Sequence, residues 1–147
     1  MAGTDGIVNQ VVQISQQITG IGTVYGYNPL TAELNDGPAA WVYVDHVEEN
    51  RRGYGGLKSG KKLVKHRVSM TVHQVSSQND QDETMWRQFL DNIRSTWRAN
   101  QTWANTNGTV ERFGEDIEIE VTDPFLNGDM VQFFATVTSY AWEEITA

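Results

Sequence analysis

The stretch Lys62-Leu63-Val64-Lys65-His66-Arg67-Val68-Ser69-Met70-Thr71-Val72-His73-Gln74-Val75 decides how this chain is read. Val64, His66, Val68, Met70 and Val72 alternate with Lys65, Arg67, Ser69, Thr71 and His73, the period-two pattern of a strand with one face turned inward. Just upstream, Ala40-Trp41-Val42-Tyr43-Val44-Asp45-His46-Val47 is rich in aromatic and β-branched residues and predicts a second strand. Between the two, Glu48–Lys62 carries glycines at 53, 55, 56 and 60 and cannot supply a core, so it reads as the tip of a hairpin.

On the N-terminal side, Ile7, Val11, Ile14 and Ile18, widened by Val8 and Val12, follow helical spacing and predict an amphipathic helix capped by Thr4 or Asp5. Gly20 and Gly22 stop it, and Thr23–Tyr27 before Asn28-Pro29 reads as a short strand. On the C-terminal side, Asp80 and Glu83 offer a capping-box-like start. Trp86, Phe89, Leu90, Ile93 and Trp97 then mark one side of a helix to about Ala99. A polar linker from Asn100 to Gly108 follows. Ile117, Ile119 and Val121 alternate with Glu118 and Glu120, Asp123-Pro124 and Asn127-Gly128 predict turns, and Met130–Trp142 returns as a hairpin partner. The expected fold is α+β over a single domain, residues 1–147: an antiparallel sheet of about five strands, two helices packed on one face, and a projecting β-hairpin arm.

The composition narrows the chemistry. The 147 residues include no cysteine, so disulfides, zinc–thiolate sites and thiol nucleophiles are excluded together, in keeping with a reducing compartment. The first residues carry no secretory signal pattern, no stretch approaches a membrane span, and the chain reads as made in the cytoplasm. The net charge of −8 argues against a general nucleic-acid binder, yet seven of the eleven Lys and Arg residues fall at Arg51, Arg52, Lys58, Lys61, Lys62, Lys65 and Arg67. Gly55-Gly56-Leu57-Lys58-Ser59-Gly60-Lys61-Lys62 approaches a phosphate-binding loop, but Lys62 stands where Ser or Thr should ligate Mg²⁺, and a strand follows where a helix is needed. His46, His66 and His73 lack paired metal-ligand spacing, and His66 on the apolar face reads as a hydrogen-bonded core histidine. Asn79–Glu83 lacks the central glycine of a calcium loop and reads as helix N-terminal acid. Glu118 and Glu120 share one face of a strand, and a solvated outer face is the simplest account of them. No catalytic residue, metal or cofactor is assigned.

The strand at 62–75 spans roughly 45 Å at ~3.3 Å per residue, against roughly 27 Å for the helix at 82–99 at ~1.5 Å per residue. If continuous, it outruns its cover and projects an arm with unpaired edges. A bulge near Arg67 or Ser69 would instead fold it back. A projecting arm calls for a neighbouring copy, and its basic residues Arg51, Arg52, Lys58, Lys61 and Lys62 suit an acidic dock such as the face of Glu118 and Glu120.

Across nearly the whole chain the element order resembles that of the tail terminator (tail completion, or neck) proteins of long-tailed bacteriophages. The resemblance is carried by Ile18-Thr19-Gly20-Ile21-Gly22-Thr23-Val24-Tyr25 with Pro29, by Trp41-Val42-Tyr43-Val44 after Pro38, by His66-Arg67-Val68-Ser69-Met70-Thr71-Val72, and by Trp86, Phe89, Leu90 and Ile93. It implies a structural virion protein forming a ring, usually hexameric, that caps the tail tube and meets the head-completion or connector proteins. DNA would pass through the ring without specific binding, and Glu118 and Glu120 would line its wall or dock the arm. A neighbouring connector or head-completion role, a small enzyme or ligand-binding domain using the acidic strand residues, and an adaptor gripping DNA by the basic tip are the alternatives. On the arm-to-acid reading, reversing Lys58, Lys61 and Lys62 to Glu abolishes assembly, which light scattering reads directly; an unchanged mass speaks against that dock.

Overall fold

The computed structural model describes residues 3–28, 38–52, 61–76, 80–100, 110–127 and 130–146. Along the chain these form α1 (Gly3–Ser15), β1 (Thr23–Tyr25), β2 (Ala39–Arg52), β3 (Lys61–Ser76), α2 (Asp80–Ala99), β4 (Val110–Phe113), β5 (Glu118–Asn127) and β6 (Met130–Thr146). The expected α+β class holds, with two helices on a six-stranded sheet. The sheet is mixed rather than antiparallel throughout, because β1 runs parallel to β2 in the register Thr23↔Ala39 to Tyr25↔Trp41. A hairpin cannot join parallel neighbours, but residues 26–38 provide the dozen or so positions that a return to the same end requires. The Gly22 amide donates to the Pro38 carbonyl at 2.8 Å and fastens the two strand starts together.

β3 lies at the centre. It pairs with β2 from Ala39↔His73 to Arg52↔Lys61 and with β6 from Lys61↔Thr146 to Ser76↔Val131. Of the expected hairpin, the basic strand is therefore covered by β6 along its whole length and by β2 from Lys61 to His73, and the unpaired edge falls on β2 beyond Trp41 among the described residues. The interruption considered near Arg67 falls instead on β2, where the register shifts between Val44 and His46 and Asp45 becomes the extra residue opposite Arg67. β4 and β5 follow one another along the far edge of β6. β5 runs through Asp123-Pro124 with a register shift between Thr122 and Phe125, so the turn expected there is a bulge in an edge strand, a position that tolerates proline's missing N–H. β4 went unread in the sequence because its only buried apolar residues are Val110 and Phe113, too few to show a period. The phosphate-loop-like tip at 53–60, the 101–109 part of the expected linker and the Asn127-Gly128 turn at Gly128 lie outside the described residues.

One buried cluster joins Ile7, Val11 and Ile14 of α1, Trp86, Phe89, Ile93 and Trp97 of α2, and Val42, Val68, Met70, Val72, Ala135 and Val137 of the sheet. The even positions of β3 and the odd positions of β6 face this cluster, as the pairs Met70↔Val137 and Val72↔Ala135 require. One polar lock and one close approach set the helices. Trp97 Nε1 donates to Ser15 Oγ at 3.0 Å in the buried seam between α1 and α2. Gly114, at φ +72°, turns the chain out of β4 where a Cβ would stand 2.7 Å from the Trp97 carbonyl oxygen. Replacing Ser15 by Ala strands the indole N–H in the core and is expected to lower unfolding stability by about 1–3 kcal/mol, measured by urea denaturation.

Candidate functional site

Two surfaces and one buried cluster hold the chain's concentrated polar chemistry. The buried cluster sits where α1 begins. The Gly3 amide, at φ +65°, donates to Glu143 Oε2 at 3.2 Å, so the first turn of α1 is met by a carboxylate from the far end of the chain rather than by Thr4 or Asp5. Local sequence cannot show such a cap, whose members are 140 positions apart. Glu143 Oε1 lies 3.5 Å from His66 Nε2, and both side chains are 3% exposed. That contact is attractive but poorly aligned, and no hydrogen bond reaches either His66 nitrogen among the described residues, which corrects the expectation of a hydrogen-bonded core histidine. Burial pushes the His66 pKa below its usual 6.5, while the nearby Glu143 carboxylate pulls it partly back.

The outer face of the sheet lies opposite the helices. Arg67 Nε donates to Asp45 Oδ1 at 2.7 Å, Ser69 Oγ donates to Asp45 Oδ2 at 3.1 Å, and Ser69 Oγ lies 3.3 Å from Thr138 Oγ1. The bulge presents Asp45 to two neighbouring residues of β3, and its hydrogen bond and charge raise the Arg67 pKa. Asp45, Arg67 and Tyr140 line an open recess of about 230 Å³ together with Glu118 and Glu120. Both glutamates are exposed, as expected of a solvated face. Three carboxylates and a single guanidinium leave this recess net negative, and the Asp45–Arg67 pair within it was not foreseen because a bulge alters register without a sequence mark. Beside it, Lys65 Nζ stands 4.2 Å from the Tyr140 ring centroid and 5.0 Å from that of Trp142, and Arg112 lies 4.6 Å from Trp142 on β6.

The expected arm residues have mixed fates. Lys61 pairs with Glu144 at 3.2 Å and Lys62 with Glu49 at 3.6 Å, so both lysines are engaged within the chain, though these pairs are solvent-exposed and weak. Arg51 and Arg52 end β2 with side chains outside the described set, and Lys58 lies outside the described residues. From Asp45 to Asn50, β2 is exposed on both faces, although His66 and Val64, its partners across the ladder, are buried.

The third feature is a groove of about 470 Å³ between α2 and β5, floored by Leu90, Ile117, Ile119 and Val121 and flanked by Arg87, Asp91 and Arg94. Among the described residues no three His, Asp or Glu side chains gather as a metal site, and no helix is long and apolar enough to cross a membrane. No protein-family model matches the sequence, and no curated protein matches it.

Because the lowered His66 pKa means that the unfolded chain binds the proton more readily, the neutral imidazole contributes stability in full above pH 6.5 and loses it as pH falls below that value. Urea midpoints taken from pH 7.5 down to 5 should fall for the native chain and fall less for His66→Gln.

Proposed function

We propose that this chain is a ring-forming structural subunit of a bacteriophage tail, a terminator that caps the tail tube and presents the surface on which the head-completion or connector proteins attach. The observation that carries the reading is the distal half of β2. Among the described residues it is paired on one edge only from Asp45 to Asn50 and is exposed on both faces, while Val64 and His66 of the strand beside it are buried. An unpaired strand edge is a surface that a neighbouring chain can complete. The element order that resembles the terminators, the long ladder of β2, β3 and β6, and sheet edges at both ends of the strand order that lack a further partner among the described residues are consistent with a subunit that meets two neighbours.

The net charge of −8 and the negative recess at Glu118 and Glu120 fit a channel through which DNA passes without sticking, since a carboxylate wall repels phosphate. The same two residues also remain candidates for the arm's dock. The work assigned to the chain is assembly in the virion, and it requires no cofactor. Electron microscopy of the purified chain is expected to show rings with an axial hole, and added protein is expected to stop tail-tube polymerisation; unlimited tube growth in its presence would overturn the terminator reading.

A further inference from the structure

We propose that the exposed half of β2 in one copy adds as a strand to the free edge of β5 in the next, with Val47 entering the groove between β5 and α2 and Glu49 facing Arg87 and Arg94. The contact deepens the ring reading above and rests on it.

The occupant is set by matching features at the two ends of the sheet. In the order β1-β2-β3-β6, with β4 and β5 beyond β6, the open edges belong to β2 and to the β4–β5 line. β1 covers β2 only at Ala39–Trp41, so the edge after the bulge has no sheet partner among the described residues. β5 likewise pairs only with β6. The helix-side face of the exposed β2 half is fixed by register, because Val47 lies opposite His66 and Glu49 opposite Val64, both buried on that side. Strand addition that keeps the sheet's two faces continuous brings Val47 and Glu49 onto the helix side of β5, where Ile119 and Val121 meet Leu90. Val47 is 48% exposed and Val121 50%, two of only four large hydrophobic residues so exposed among those described. One lies on each open edge.

Charge separates this occupant from an arbitrary strand. On its helix-side face the exposed β2 half carries Glu49, and the groove is flanked by Arg87 and Arg94 beside Asp91 on a molecule that is acidic overall. Those arginines are held at present by Glu83 and Asp91 on their own helix, and Glu49 by Lys62, all through exposed pairs that exchange at little cost. A copy of β2 therefore offers an apolar side chain and an acid two positions apart to a groove with an apolar floor and two arginines at its rim. The contact is head-to-tail, each copy donating β2 to one neighbour and receiving it from another, and such contacts close into rings when the rotation allows. It brings the arm to the strand that bears Glu118 and Glu120, but through the opposite face from the one those residues occupy.

The test uses two full-length variants, Val47→Glu and Val121→Glu, both at exposed positions and both checked for native circular dichroism. Sedimentation velocity of the unaltered chain should give a multimer, and each variant alone should sediment as a monomer. Mixing the two should restore one contact, the intact β2 of Val121→Glu docking in the intact groove of Val47→Glu, and yield a one-to-one dimer that grows no further. A multimer unaffected by both substitutions overturns the edge contact and leaves the ring reading standing. Open chains that are broken by both uphold the edge contact and overturn the closed ring. An unaltered chain that stays monomeric at every concentration overturns both, leaving the groove to a different occupant.

Discussion

β3 is hydrogen-bonded along both edges, to β2 from Lys61 to His73 and to β6 from Lys61 to Ser76. This two-sided pairing fixes the side on which every residue of the sheet's long strands lies, because a slip of one position would exchange the two faces. Val68, Met70 and Val72 meet Ser139, Val137 and Ala135 on the helix side, while Arg67, Ser69 and Thr71 meet Tyr140, Thr138 and Thr136 on the other. The helices are held by the first row. The polar recess is built by the second.

The same register sets the chain's electrostatic tension. Val64 and His66 fall opposite Glu143 and Ala141, which puts an ionisable pair under the start of α1. A buried carboxylate is costly unless it is used, and here it accepts the Gly3 amide while facing an imidazole. The arrangement joins the chain's two ends, so the start of the first helix and the end of the last strand depend on one another. It adds a dependence on pH to a largely apolar core.

Where pairing ends, the surface changes character. The Asp45 bulge turns the remainder of β2 out of the core, and Pro124 bends the far edge at β5. Bulges, proline and charge are the usual means of keeping sheet edges from indiscriminate pairing. In the contact proposed above, an edge that carries Val47 beside Glu49 and another that carries Val121 below Arg87 and Arg94 would instead be selective, since each discourages its own kind and suits the other.

Alternation along 64–72 and the helical stripes at Ile7–Ile14 and Trp86–Trp97 determined the class, the two helices and the inward face, because periodicity records which side of an element is buried. The same alternation placed Glu118 and Glu120 on the outer face. Partners distant in sequence leave no such record. The parallel pairing of β1, the bulge at Asp45 that pairs it with Arg67, the continuation of β5 through Asp123-Pro124, and the Glu143 carboxylate at the head of α1 were decided only when the chain packed. Each depends on which strand lies beside which, and that is a choice made by the whole core rather than by any window of residues. The basic segment shows the division most clearly: its charge was legible from 51 to 67, but only the tertiary structure showed Lys61, Lys62, Lys65 and Arg67 already engaged and the β2 edge after Asp45 without a further sheet partner among the described residues.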